Sequence, residues 1–120
     1  MDKRDTARAY LTEIQRQNFI IYVCKSETAF YKTFYPEIPR KRPDYTERQR
    51  RAEVKRQRII EQIETWPDEQ QRSVLKGVFI KRKKICQIAD ALFYSESTIN
   101  RVLAQALNDF YNTYLADGQN

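Results

Sequence analysis

The sequence predicts an all-α protein, with an N-terminal long helix or helical hairpin followed by a C-terminal helix-turn-helix. Three observations carry this reading. Two glycines and four prolines in 120 residues leave few interior breakers. Almost every segment between the prolines carries apolar residues at helical spacing. Residues 85–104 have the spacing of two short helices around a tight break.

The first helix is expected over residues 5–35, with Leu11, Ile14, Asn18, Ile21 and Tyr22 on one face. Its stretch Phe19-Ile20-Ile21-Tyr22-Val23-Cys24 is apolar on all sides. Such a run suits a helix buried between others, a helix packed on a second subunit, or a short strand. Helical spacing continues through Phe30, Tyr31 and Phe34, which favours a helix. Tyr10, Tyr22, Tyr31 and Tyr35 are read as packing or interface residues.

Pro36, Pro39 and Pro43 enclose the basic loop Arg40-Lys41-Arg42 and divide the chain. Residues 1–45 are expected to form an N-terminal helical segment, a candidate for oligomerisation or partner contact, and 46–120 a second helical domain that holds the helix-turn-helix. Thr46 is the expected N-cap of a second helix running to about Thr65. Its inner face holds Ala52, Ile59, Ile60 and Ile63, and the opposite face Arg50, Arg51, Lys55 and Arg58.

Trp66-Pro67-Asp68 opens a third helix, with Pro67 near its first turn, running through Val74, Leu75, Val78 and Phe79. Trp66 is expected to anchor the core at this junction. Lys81-Arg82-Lys83-Lys84 is a basic link, followed by helices over 85–92 and 96–114. Residues 116–120 are expected to fray.

Net charge is +6, and it is clustered. Residues 40–58 hold nine basic and three acidic side chains, and residues 76–84 five basic and none acidic. Local clusters of this kind suit a polyanion, and nucleic acid is the usual one. With 41% apolar and 32% charged residues, the core is modest and the surface highly charged. Eight tyrosines, six phenylalanines and a tryptophan argue against a disordered chain.

Composition also excludes. There is no histidine, and Cys24 and Cys86 lie far apart with no paired spacing. A metal site or a Cys-His nucleophile is therefore not expected, and both cysteines are read as buried small apolar residues. Two glycines build no phosphate-cradling loop. The sequence points to no enzyme and no cofactor. No apolar run spans a bilayer or makes a secretory signal, so the expectation is a soluble protein of the cytoplasm, not associated with the membrane.

The helix-turn-helix region, residues 85–114, carries the functional reading. Ile88, Leu92, Ile99 and Val102 supply buried positions, Ala89 is the small residue at the helix crossing, and Ser95 caps the second helix. Ile99, Val102, Leu103, Ala106 and Phe110 point inward. Ser97, Arg101, Ala104 and Asn108 lie opposite, flanked by Thr98, Asn100 and Gln105. That outer face is polar and uninterrupted by bulky apolar groups, as a major-groove reader requires. Arg101 is suited to guanine, Asn100 or Gln105 to adenine, each worth roughly 1–3 kcal/mol of discrimination. Ser95, Ser97 and Thr98 are suited to phosphate or base contacts at the helix N-terminus. Arg101 is the one basic side chain after Lys84, so affinity must come from elsewhere. Lys81, Arg82, Lys83 and Lys84, with the Arg50, Arg51, Lys55 and Arg58 face, are the candidate backbone contacts. Neutralising about five phosphates gives a salt slope near −4 to −5.

The stretch 66–110, reading WPDEQQRSVL, KGVFIKRKKICQIADAL and YSESTINRVLAQAL, resembles region 4 of bacterial sigma factors and, more closely, the RinA/ArpU-type regulators of phages. Ala89, Ser95, Ser97, Thr98, Ile99, Ala106 and Leu107 fall in register. The resemblance implies transcription activation of late or packaging genes through promoter-proximal DNA, with Ser97, Thr98, Asn100 and Arg101 as base or backbone contacts and Lys81–Lys84 on the backbone. RNA polymerase is an implied partner. The sequence departs at Phe93, where the family commonly has glycine. Phenylalanine is ill at ease with positive φ, which points to another turn geometry.

Three functions are compatible with these residues. The first is a sequence-specific DNA-binding activator of phage or prophage type. The second is a packaging, terminase-associated DNA-binding protein. The third is an RNA-polymerase-binding module without sequence readout of its own. Double-stranded DNA is the expected partner in the first two.

Overall fold

The computed structural model describes residues 2–37 and 45–116. All elements among them are helical, and none is a strand. The basic loop Arg40-Lys41-Arg42 and most of the predicted frayed tail lie outside the described residues.

Helix α1 spans Lys3–Phe34, capped by Asp2, whose side chain accepts from the Arg4 amide at 3.0 Å. Helix α2 spans Tyr45–Glu64. Thr46 therefore sits inside the first turn of α2 and is not its N-cap. Tyr10 donates to Gln62 Oε1 at 2.6 Å, and Arg56 donates to Asn18 Oδ1 at 2.9 Å. Positions rising along α1 thus meet positions falling along α2, and the two form an antiparallel hairpin. Its seam holds Ile14, Ile21 and Cys24 of α1 and Ala52, Ile59 and Ile63 of α2, all buried. Tyr22, expected on this face, is exposed. So is Phe19, so the apolar run 19–24 buries only Ile21 and Cys24. Both exposed rings point away from α2, which covers one side of α1.

Helix α3, Glu69–Leu75, is capped by Asp68, whose carboxylate accepts from the Gln71 amide at 2.9 Å. Pro67 stands immediately before this cap, near the first turn as expected. The helix continues as a π-helical segment, Lys76–Ile80, in which the widened turn places Val78 and Phe79. Helix α4 spans Ile85–Leu92 and helix α5 Glu96–Phe110, prolonged by a second π-helical segment over Tyr111–Leu115.

One core joins these elements across the predicted division of the chain. Ala7, Leu11 and Ile14 of α1 share it with Ile59, Ile63, Val74, Leu75, Ile99 and Phe110. Trp66 stacks on Phe110, with centroids 5.5 Å apart and planes at 30°, and the Tyr10 ring lies 5.8 Å from that of Phe110. The tryptophan is the junction anchor its position predicts. Its indole N–H donates to Gln71 Oε1 at 2.8 Å, and Arg72 donates to the Trp66 carbonyl at 2.7 Å. The buried polar atoms of the bend are thereby satisfied. Cys24 is buried as expected, but Cys86 is exposed in the first turn of α4.

Candidate nucleic-acid interface

The α4–turn–α5 unit is built by local chemistry that can be followed atom by atom. Gln87 accepts from the Lys84 amide at 2.9 Å and fixes the start of α4. At its end Phe93 adopts φ 61 and ψ 39, the left-handed conformation. The Tyr94 amide returns to the Ala89 carbonyl at 3.0 Å, closing a Schellman turn. The turn therefore keeps the geometry that glycine usually supplies, which overturns the expectation of a different one. Phe93 bears the backbone strain, and its ring faces solvent.

Ser95 then caps α5, its Oγ accepting from the Thr98 amide at 3.2 Å. The same oxygen lies 2.9 Å from Thr98 Oγ1 and 3.2 Å from Ser97 Oγ. The Ser95 hydroxyl is thus consumed in holding the helix start, and Thr98 is half-buried against it. Ile99, Val102, Leu103, Ala106 and Phe110 are buried as their spacing predicts, and Ile88 and Ala89 of α4 join them. Leu92 is half-buried.

On the outer face Ser97, Asn100, Arg101 and Gln105 are exposed. They do not share one environment. Ser97 and Arg101 open to solvent. Asn100 and Ala104 instead border a cleft of about 250 Å³ whose other wall is Asp2, Arg4, Asp5 and Arg8 of α1. One edge of the predicted reading face therefore meets two carboxylates and two guanidinium groups that the sequence brings there only through the fold. At the far edge, Gln105 donates to Asp109 Oδ1 at 2.9 Å. Asp109 Oδ2 accepts from Gln71 Nε2 at 3.0 Å, and Gln71 in turn holds the Trp66 indole. This relay from core tryptophan to outer face is not visible in the sequence, because Gln71 and Asp109 lie 38 residues apart and meet only through the fold.

The basic link is exposed throughout Lys81, Arg82, Lys83 and Lys84. Arg82 takes φ 54, and the Lys83 amide donates to the Gly77 carbonyl at 2.8 Å, so the link is a defined turn rather than a slack tether. Behind it, Gly77 is buried against α4. A Cβ on Gly77 would lie 2.9 Å from Ile88 Cδ1 and 3.0 Å from Cγ1. The glycine is what lets the first helix of the motif sit so close to the π-helical segment.

On α2, Arg50, Arg51, Lys55 and Arg58 are exposed. Arg50 is already engaged by Glu47 through two bonds of 3.1 and 2.6 Å. The hydrogen bonds and charge of Arg50 hold the Glu47 carboxyl below its ordinary value, and Glu47 raises Arg50 in return. Arg51 lies 4.0 Å from the same carboxylate. Arg51 and Lys55 also border a cleft of about 400 Å³ between α1 and α2, together with Arg16 and Arg48, two cations the sequence reading passed over. Among the described residues, no cluster of three or more His, Cys, Asp or Glu side chains is placed to hold a metal ion, and no helix is long and apolar enough to cross a membrane.

A family model described as "Protein of unknown function (DUF1492)" matches residues 40–111, more than half of the chain. No curated protein and no solved structure matches it.

Proposed function

We propose that this chain, which belongs to the DUF1492 family, is a sequence-specific DNA-binding transcription activator of phage or prophage type. In this reading it acts on late or packaging gene expression together with the host RNA polymerase. The observation that carries the proposal is the α4–turn–α5 unit. Its second helix is anchored by an apolar face and leaves Ser97 and Arg101 open, and the exposed Lys81–Lys84 turn stands immediately before its first helix. The division of labour follows from chemistry. Lysines and arginines of the turn, with Lys55 and Arg58 of α2, neutralise phosphates without reading sequence, and Arg101 offers a planar fork to a guanine edge. Ser95 serves as the cap and Ser97 as a groove or phosphate contact. Asn100 and Gln105 contribute at the margins, each beside a carboxylate-bearing neighbour. The setting is the cytoplasm of the bacterial host, at the nucleoid, and self-association through the N-terminal segment belongs to the same reading.

The test is selection of bound duplexes from a random-sequence library, followed by titration of the selected duplex and a scrambled one at two salt concentrations. Arg101→Ala is expected to lose roughly 5–150-fold of the discrimination while keeping the fold. Lys81→Ala with Lys83→Ala is expected to lower the salt slope by about 2 with discrimination kept. Failure of any sequence to enrich would refute sequence readout. A second reading, a polymerase-binding module without its own readout, is favoured by one observation: the wall of Asp2, Arg4, Asp5 and Arg8 beside Asn100 and Ala104 carries no net charge, so that edge of the face adds nothing to phosphate attraction.

A further inference from the structure

The solvent side of α1 carries a feature that DNA binding does not use. Phe19, Tyr22, Phe30 and Phe34 are 66%, 68%, 46% and 63% exposed. At 100° per residue they fall within one stripe, together with half-buried Val23 and with Ser26, and that stripe lies opposite the face packed on α2. No charged side chain interrupts it from Phe19 to Phe34. Phe30 and Phe34 are already in contact, with centroids 5.0 Å apart, and Tyr31 lies 5.4 Å from Phe30 at the edge of the stripe.

We infer that this stripe is a homodimer interface, with a second copy of the chain packed antiparallel along α1. The inference rests on self-complementarity of the spacing. In an antiparallel pair centred near Ser26, Phe19 comes opposite the Thr33-Phe34 step of the other copy, Tyr22 faces Phe30, and Ser26 faces Ser26. Large rings therefore flank a small residue at the closest approach, as helix seams require. The area also fits. An aromatic side chain buries about 150–250 Å² in total, so four rings half to two-thirds exposed offer on the order of 500 Å² per copy. Two copies then cover about 1,000 Å², the lower bound of a specific interface. Absence of charge and enrichment in Phe and Tyr is the composition of an interface core. A twofold arrangement of two recognition helices follows, so this interface deepens the self-association named above and stands independently of DNA readout.

The test uses the full chain. Sedimentation equilibrium at about 100 μM is expected to give twice the 14.5 kDa chain mass. Phe19→Ser with Phe34→Ser is expected to raise the dimer dissociation constant by at least roughly thirtyfold, the effect of losing one hot-spot aromatic, with helicity and thermal unfolding at low concentration unchanged. Register is read by cross-linking in a Cys86→Ser background, since Cys86 is exposed and would pair on its own. Ser26→Cys is expected to form a disulfide dimer under mild oxidation, and Lys32→Cys, on the opposite side of α1, is not. A monomeric parent chain, unchanged association in the double variant, or equal cross-linking from both positions would each overturn the interface. Because association is read without DNA, its failure is distinct from failure of the DNA-binding reading.

Discussion

Replacing Gly77 by alanine probes the contact that seats the helix-turn-helix on the rest of the molecule. The added methyl would stand 2.9 Å from Ile88 Cδ1 and 3.0 Å from its Cγ1, closer than carbon atoms pack. Ile88 is 3% exposed and belongs to the buried apolar cluster, so its side chain has little room to retreat. Overpacking of this kind costs about 1–3 kcal/mol, and alanine's better helix propensity returns about 1. The expected net loss is about 0–2 kcal/mol, centred near 1, a fall in midpoint temperature of a few degrees, by roughly 2–8 °C per kcal/mol for domains near this size. Thermal and denaturant unfolding followed by circular dichroism measure it. Ile88→Val removes the Cδ1 atom, so the double variant is expected to recover part of the loss, with a coupling energy of about 0.5–2 kcal/mol in a double-mutant cycle. If Gly77→Ala proved more stable than the parent, or Ile88→Val showed no coupling to it, the steric account of this glycine would be wrong.

Phe93→Gly is expected to stabilise the protein by about 0.5–1 kcal/mol, because relief of the left-handed strain exceeds the entropy glycine adds to the unfolded chain. The ring is 94% exposed and sacrifices no packing, so chemical denaturation reads the effect directly. Gln71→Leu strips the partner from both the Trp66 indole and Asp109. A destabilisation of about 1–3 kcal/mol is expected by the same assay, accompanied by a shift in Trp66 fluorescence. Glu47 is expected to titrate below an ordinary glutamate in a carbon-detected NMR titration, and Arg50→Ala should move it back up. Its folded value is depressed, so the stabilisation it gives is present above the unfolded value and is lost as pH falls through the folded one.

Much of this architecture is legible locally. The bounds of α4, the Ser95 cap and the inward set on α5 follow from spacing alone, because a short amphipathic helix has one face to bury and one N-cap to fill. Cys86 was misplaced for want of the same count, since two residues before Ile88 lies on the far side of the helix. Tyr22 is different: its periodicity is right for the core, and its exposure is decided by how far around α1 the second helix reaches. The π-helical segments have no cue in composition, as one extra residue in a turn leaves the apolar pattern nearly intact. Phe93 was misread because steric preference was taken as prohibition, whereas the Schellman bonds of α4 and the packing of α5 hold the residue there. Of the candidate site, Ser97 and Arg101 could be placed from the sequence. The neighbours that qualify Asn100 and Gln105 could not, since Asp2, Asp5 and Asp109 arrive through tertiary contact.

The meeting of Tyr10 with Phe110 sets a timetable for the nascent chain. The hairpin of α1 and α2 needs only neighbouring sequence and can form as soon as both helices have left the ribosome. Ala7, Leu11 and Ile14, although made first, have no complete partner until the last helix is synthesised. For most of translation that apolar end of α1 is open to whatever chaperone or companion chain is nearby. Order of manufacture and order of assembly therefore run in opposite directions, and a ribosome stalled before residue 99 would display an intact hairpin with an unsheltered end.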